Sequence, residues 1–463
     1  MFEDLAKRVL DRASQLNVDF AELRFEDTVR ENLTYVNGRV TAIGKNMLRG
    51  VGIRVMYQGS IGFSSTSNLT FEGILEALEN AYKAAKALGR GNKKLSKPEA
   101  TEGKFSFKDI KKHPSKHEWA DKMDLVKRAF ETAKAEGGQS ITVGYGAYYG
   151  FFEIYTTDNI NISTERLLVG LRVSTVIREN GKIGNGGESW GASSGLETFQ
   201  KESSPEEIAK RAVEMAKDTL KAKAPPAGEL TVITRPQLTG VFAHESFGHL
   251  TEADHVFTGG SPLAGRLGEQ IASEHVTIVD SGIDERGGIV LFTDDEGIKT
   301  QRTVLVEKGI LKSYLHNRET ASIMGFENTG NGRAQSFKHD PIVRMRNTFF
   351  ESGDWTEEEI IEDTKYGVIL DKPAGGQVEF NGTFTFNAML GYIIENGEIK
   401  EPVRDVVLAG NILEMLKYVD AVAKNVEIRT SPFGGCGKGG QRAFVGLGGP
   451  TLRVTKLLVG GRK

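Results

Sequence analysis

Asn-Gly pairs set in apolar, strand-patterned stretches constrain this chain more than any other feature. Asn37-Gly38 divides Leu33 to Ile43, Asn180-Gly181 falls near the end of a strand-rich stretch from Ile141 to Ile183, and Asn396-Gly397 divides Tyr392 to Glu398. Both residues tolerate positive φ, so each pair favours a two-residue type I′ hairpin turn. Lys308-Gly309, inside Val304 to Leu311, reads the same way. Glycine makes up 55 of 463 residues, about 12% against a usual ~7%, and it follows no Gly-X-Y period. A collagen-like chain is excluded, and many tight turns or close backbone approaches are required.

Helical patterns frame these hairpins. Phe2, Leu5, Val9, Ala13 and Leu16 recur at helical spacing, followed by alternating Ala21, Leu23 and Phe25 and then Val51, Ile53, Val55 and Tyr57. A helix over Phe71 to Leu88 closes this unit, and the polar, Lys-rich Gly89 to Lys116 reads as a linker. The scheme then repeats with a helix near Met123 to Ala135, the second group of strands, and a helix over Pro205 to Lys221. The last is announced by Ser204-Pro205-Glu206-Glu207, a capping hydroxyl with proline at the first helical position. Paired prolines in Lys223 to Gly228 mark a boundary.

Residues 1–223 therefore form an expected N-terminal domain of two helix-strand-helix units, about 1–90 and 117–223. Residues 229–463 form an expected C-terminal domain. There, a strand at Leu230 to Thr234 and a helix from Pro236 lead into short strands at Val276 to Val279, Ile289 to Phe292, Val304 to Leu311, Val378 to Phe386 and Tyr392 to Glu398. Two short helices, near Asn317 to Met324 and Thr356 to Lys365, interrupt them. The class is α+β: an N-terminal α/β region of strands and helices followed by a mostly β C-terminal domain.

A single cysteine, Cys436, precludes an intrachain disulfide and every Cys-rich metal motif, and it fits a reducing, cytoplasmic setting. The 59 basic and 62 acidic residues leave a net charge of -3, which gives no electrostatic reason to expect nucleic acid as the main partner. The N-terminal segment carries acids beside its bases, unlike a secretory or transit peptide. No apolar run of about 18 residues occurs, so no membrane span is expected.

The chemistry concentrates in His244-Glu245-Ser246-Phe247-Gly248-His249. In H-E-x-x-H helices the two imidazoles lie four residues apart and share one metal ion, while the adjacent glutamate activates water. Here they lie five apart. On a regular helix of 3.6 residues per turn the two rings would diverge by roughly 140°. A π-bulge would absorb the extra residue and bring them together, with Gly248 a plausible place for it. Two such histidines also occur as ordinary half-buried side chains. Third-ligand candidates are Glu252, Asp254 and His255 nearby, and His275, His316, His339 and Cys436 farther along.

Cys436 lies in Pro432 to Gly440, where five of nine residues are glycine, a poor core segment but one that lets a thiolate reach a metal. Gly437-Lys438 is followed by Gly439, and Pro432 stands where a phosphate loop needs glycine, so the Walker pattern fails. A Cys436 nucleophile with His244 or His249 as base is a further alternative, but it leaves one histidine and Glu245 without roles. The metal reading employs all four residues.

Long ordered blocks carry a resemblance. HESFGH at 244–249, DDEGIKTQRTVLVEKGILKSYLHNRETASIMG from Asp294, NTGNGRAQSF from Asn328, GGQVEF from Gly375 and GGCGKGGQRAFVGLGGPTLRV from Gly434 resemble the TldD/PmbA (TldE) family of metalloproteases, and specifically its TldD type. FAELRFED and RGVGIRV are similar to that family's first domain. The resemblance implies a zinc peptidase in which His244, His249 and Cys436 hold Zn²⁺ and Glu245 is the general base. It also implies a TldE/PmbA-type partner subunit or a homodimer. Leu250-Thr251 departs from the bacterial pattern of a small glycine-containing step. Substrates are expected to be unfolded peptides bound extended along a strand edge with little side-chain preference, and His316, Arg333 and Gln335 are polar candidates for orienting the tetrahedral intermediate. A non-catalytic regulator that binds protein or DNA is the reading from another class, and the net charge speaks against it.

Overall fold

A computed structural model describes residues 2–98 and 101–461. The first unit runs α1 (Glu3–Gln15), β1 (Phe20–Val36), β2 (Arg39–Tyr57), β3 (Ser60–Thr66) and α2 (Phe71–Ala87). β4 (Thr101–Phe105) follows. The second unit runs α3 (Trp119–Ala135), β5 (Ser140–Thr156), β6 (Ile160–Glu179), β7 (Lys182–Ala192) and α4 (Pro205–Lys221). Asn37-Gly38 and Asn180-Gly181 form the two-residue turns, all four residues at positive φ. They close the hairpins with Val36 opposite Arg39 and Glu179 opposite Lys182.

The two units join through β1 and β5, which pair antiparallel, so one sheet runs β3-β2-β1-β5-β6 with β7 on the far side of β6. Each unit lays its helices on the sheet through a glycine. A Cβ at Gly62 of β3 would stand 2.1 Å from the Ala81 carbonyl of α2, and one at Gly184 of β7 would stand 2.1 Å from the Ala216 carbonyl of α4. Ile74, Leu78 and Ala81 bury one core against Leu23, Phe25 and Ile53. Val126, Ala129, Ile208 and Ala212 bury the equivalent core against Val143, Val169 and Leu171. The expected linker Gly89 to Lys116 contains β4, which pairs parallel with the start of β6, and its residues 99 and 100 lie outside the described residues. A strand hidden in a polar, Lys-rich stretch shows little apolar periodicity, because it lies at a sheet edge and three of its five residues are exposed.

The C-terminal part starts with β8 (Gly228–Thr234) and α5 (Pro236–Val241), and a short α6 (Ala253–Phe257) follows the candidate motif. Next come β9 (Ile278–Ser281), β10 (Arg302–Glu307), β11 (Ile310–Leu311), α7 (Arg318–Met324), β12 (Gly332–Arg333), β13 (Ile342–Val343), β14 (Asn347–Phe350) and α8 (Glu357–Glu362). The chain ends through β15 (Tyr366–Leu370), β16 (Pro373–Val378), β17 (Thr383–Glu395), β18 (Glu398–Asn411), α9 (Ile412–Met415), β19 (Val419–Val422), β20 (Glu427–Thr430), β21 (Cys436–Lys438), β22 (Gln441–Ala443), β23 (Gly446–Gly449) and β24 (Leu452–Gly461). One sheet orders β15-β8-β24-β18-β17-β16 and the other β11-β10-β9-β14-β23-β20. The fold is a mixed α+β arrangement, with parallel pairs at β4–β6, β8–β15 and β14–β23 among mostly antiparallel strands.

Two expected strands differ. Ile289 to Phe292 forms no strand: the Asn347 side chain takes the Ile289 N–H and donates to the Ile289 carbonyl, so a side chain replaces a strand partner. Val378 to Phe386 is two strands, β16 and β17, because a turn with Gly382 at positive φ folds the chain back on itself. No helix among the described residues is long and apolar enough to cross a membrane.

Candidate metal centre

The motif does not continue α5 as a regular helix. Phe242 to Phe247 is a π-helix and Gly248 to Thr251 a 3-10 turn, so the extra residue is absorbed by a full π segment. Phe242 and Phe247, also five apart, are both fully buried, and Phe242 packs edge-on to Phe384 and Phe386 at 5.2 and 5.3 Å. The same spacing that anchors these phenylalanines sets His244 edge-on beside His249, with ring centroids 5.2 Å apart. Gly248 serves a different purpose from the expected irregularity. Its backbone is ordinary αR, and a Cβ there would stand 2.1 Å from Met345 Sδ, so a larger residue would have to displace the Met345 side chain.

Cys436 arrives from 187 residues farther along on a β-hairpin. β21 and β22 pair Cys436 with Ala443 and Lys438 with Gln441, across a Gly439-Gly440 turn with both residues at positive φ. Just before it, Pro432 presses on the N-terminal sheet, where a Cβ at Gly170 would stand 2.5 Å from Pro432 Cδ. Arg344 ties the hairpin down by donating to the carbonyls of Cys436, at 2.6 Å, and Gln441, at 3.2 Å. These elements bring ligand atoms of His244, His249 and Cys436 within 4.8 Å of one another.

Cys436 Sγ lies 3.2 Å from His249 Nε2, and His249 Nδ1 lies 2.8 Å from Glu252 Oε2. A carboxylate accepting Nδ1–H leaves the Nε2 lone pair directed at the cluster. Glu245 Oε2 stands 3.7 Å from His249 Nε2, with a side chain 42% exposed that reaches the open side. Burial would raise the Cys436 thiol, but the adjacent imidazoles outweigh it and hold the thiol down at about 5. Burial would likewise lower His249, yet Glu252 and the Cys436 sulfur push it up to about 10, and Glu252 falls to about 2 despite its own burial. Both nitrogens of His244 are buried with no hydrogen-bond partner among the described residues. An unpaired buried polar group costs about 1–3 kcal/mol. A ligand that accepts the lone pair removes that cost, and two imidazoles with a thiolate are donors suited to a borderline-soft divalent cation.

The other third-ligand candidates have different occupations. Glu252 orients His249, and Asp254 pairs with Lys438 at 2.7 Å. His255 packs edge-on to Phe380, His316 stacks on Phe326, and His339 bonds Ser336, while His275 is exposed. Arg333 donates to the carbonyls of Met345 and Phe444, and Gln335 bonds Arg442 and Gln441, so these and His316 stand apart from the cluster. Lys438, which the sequence reading considered only as a phosphate-loop residue, contacts Glu252 at 3.1 Å and neutralises it. Its signal was present in the sequence. Gly-Gly starting three residues after a cysteine reads as a hairpin turn, and residues two apart on a strand, such as Cys436 and Lys438, share a face.

The cluster lies in a cleft between the β21–β22 hairpin and the exposed β16 edge. On one side of β21 a cavity of about 240 Å³ runs between Glu245, Val241, Pro373 and Cys436. On the other, a cavity of about 320 Å³ is lined by Glu245, His249, Val378, Phe380 and Lys438. Glu245 faces both.

Comparison with known proteins places these residues in context. The model of the PmbA/TldA metallopeptidase C-terminal domain matches residues 227–461, that of domain 1 matches 21–85, and that of the central domain matches 112–220. The chain is 38% identical over 447 residues to a metalloprotease of Methanothermobacter thermautotrophicus, covering 96% of each. It is 30% identical over 458 residues to a zinc metalloprotease TldD homolog of Saccharolobus solfataricus, covering 98% of this chain and 99% of the relative. The crystal structure of TldE from Thermococcus kodakarensis has the same fold, with a TM-score of 0.81 at 21% identity over 99% of this chain and all of the other.

Proposed function

The chain belongs to the PmbA/TldD family of metallopeptidases, hydrolases acting on peptide bonds, and from that premise we propose that it is a zinc-dependent peptidase centred on His244, His249 and Cys436. The observation that carries this reading is the buried, unpartnered His244 beside His249 and Cys436, three donors within reach of one ion. One zinc ion per chain would supply a Lewis acid that polarises the scissile carbonyl and lowers the pKa of a bound water toward ~7. Glu245 takes the proton from the attacking water and returns it to the leaving amine. Its partial exposure and its position at both cavities suit that transfer. Glu252 holds His249 in the tautomer that presents Nε2.

The cleft between two hairpins accepts an extended, unfolded chain, and the β21 and β16 edges offer main-chain groups for strand-like pairing. The hydrolytic unit is residues 229–463, with 1–223 as its support. A TldE-type chain of the same fold is the proposed partner subunit, with a homodimer as the alternative, and native mass after co-expression separates them.

A second reading has one observation in its favour: Cys436, His249 and Glu252 stand in line as a thiol, a base and its orienting acid. It leaves His244 and Glu245 without roles. Metal analysis decides between the two. Glu245→Ala is expected to keep one zinc per chain and to lose cleavage by at least about a hundredfold, and Cys436→Ala to lose the metal. Full cleavage by Glu245→Ala, or wild-type protein without metal when purified free of chelator, would overturn the proposal.

A further inference from the structure

We propose that the cavity between Val241, Leu447 and Pro373 is a side-chain subsite that selects an apolar residue beside the scissile bond; the proposal rests on the peptidase reading. The cavity is continuous with the reacting centre, because Glu245 and Cys436 form part of its wall. A peptide laid along β21 with its carbonyl at the metal centre therefore directs an adjacent side chain into it. Val241 precedes Glu245 by four residues on the same helical segment, Leu447 comes from β23 and Val445 from just before it, and Pro373 closes the side toward β16.

The lining explains the choice of substrate. Val241, Val445, Leu447 and Pro373 are each only partly buried, so the chain leaves an apolar wall open to water next to its reacting groups. Arg429, the one cation lining the cavity among the described residues, is already committed. It donates to Glu188 at 2.6 Å, contacts Glu427, and lies over the Trp190 ring at 5.4 Å. Glu188 in turn is shared with Lys372 at 2.7 Å. An acidic side chain would find no free positive partner, and a basic one would have only Glu245, whose carboxylate is needed for proton transfer. A volume of about 240 Å³, near that of eight liquid waters at ~30 Å³ each, admits a branched aliphatic or aromatic group. Main-chain pairing supplies register with little side-chain preference of its own, and this pocket adds a preference at one position.

The expected preference is set by burial of one apolar side chain. Leucine over glycine at the selected position should favour kcat/KM by roughly tenfold to a hundredfold. The test uses fluorogenic peptides differing at a single position, with each variant read as a leucine-to-glycine ratio so that a general loss of activity cancels. Val241→Trp, which fills the cavity, should lower the ratio toward one, and Val241→Ala, which enlarges it, should shift the preference toward phenylalanine or tryptophan. The same peptides are then bound to Glu245→Gln and followed by fluorescence anisotropy, a readout that needs no turnover. Opposite shifts from the two volume changes, in cleavage and in binding, support the subsite. A ratio that stays the same in both variants, or a wild-type ratio near one, overturns it. Preference in binding with no cleavage by wild-type protein would keep the pocket and remove the peptidase reading instead.

Discussion

The cluster around Arg54 and the cluster around His244 are both buried, polar and assembled from distant parts of the chain, and they are completed in different ways. Arg54 and Glu22 face each other across β1 and β2, at 2.8 Å. Arg54 also reaches Glu296 of the C-terminal part at 2.8 Å and Asp340 at 3.7 Å. Glu296 then accepts the backbone N–H of Arg318 at 2.7 Å. Cation and carboxylates answer one another there, and the cluster fastens the N-terminal sheet to the C-terminal part. At the other cluster the carboxylate Glu252 and the amine Lys438 balance, but His244 is left with two nitrogens that make no hydrogen bond among the described residues. Ion pairs within the chain hold the Arg54 cluster together even though Arg54 Nε and Asp340 Oδ1 make no hydrogen bond, whereas His244 has neither a hydrogen bond nor an ion pair among the described residues and so is open to a ligand from outside.

Removing one member of each cluster breaks the comparison most directly. Arg54→Ala strands Glu22 and Glu296 in a buried site without their cation, which should cost about 3–5 kcal/mol of stability. Urea unfolding measures it, and metal content should stay at the wild-type level. A loss of metal equal to that of Cys436→Ala would show that the two clusters are not independent. At the metal centre, Glu252→Gln removes the charge that orients His249 while leaving a group of the same shape. Metal affinity in a competition titration should fall roughly tenfold to a hundredfold, and an unchanged affinity would reduce Glu252 to a partner of Lys438.

A smaller effect comes from the seam near the cleft. Glu188 is buried, which would raise its pKa, but Lys372 and Arg429 outweigh burial and hold it below the ordinary value. A depressed carboxylate contributes stability that is present above its unfolded pKa of about 4.3 and is lost as pH falls through the folded value. Around Arg54 the direction reverses: burial pushes Glu22 and Asp340 up despite the pull of Arg54, so their contribution weakens as pH rises. Thermal unfolding of wild type beside Glu188→Gln should therefore show a gap at neutral pH that narrows below about pH 4.3. A gap that is constant with pH would mean that the Glu188 charge does nothing at this seam.

The hairpins were legible because their signals are local. Asn37-Gly38 and Asn180-Gly181 turn where their tolerance of positive φ requires, and Ser204 caps α4 by accepting the Glu207 N–H. β4 was not legible, since an edge strand with exposed residues presents no apolar alternation, and neither was Ile289 to Phe292, whose apolar residues pair with an asparagine side chain instead of a strand. At the candidate site, the five-residue spacing of His244 and His249 demanded an irregular helix on geometric grounds. The matching five-residue spacing of Phe242 and Phe247 was the overlooked sign that the whole turn is π.

Local sequence sets which turns can form and where helices begin, and it requires a π turn for two histidines with an extra residue between them to meet. These follow from dihedral preferences and helical pitch, which act over a few residues. Only the tertiary structure decided that Cys436 rather than a nearby acid completes the donor cluster with His244 and His249, that Glu252 orients a ring, and that Lys438 balances it. Those outcomes depend on where a hairpin 187 residues away is seated, and its seat is made by Pro432 on the N-terminal sheet and by Arg344 beneath it. Packing between distant segments chose the partners, because Cys436, Lys438 and Arg344 reach His249 and Glu252 only through the fold.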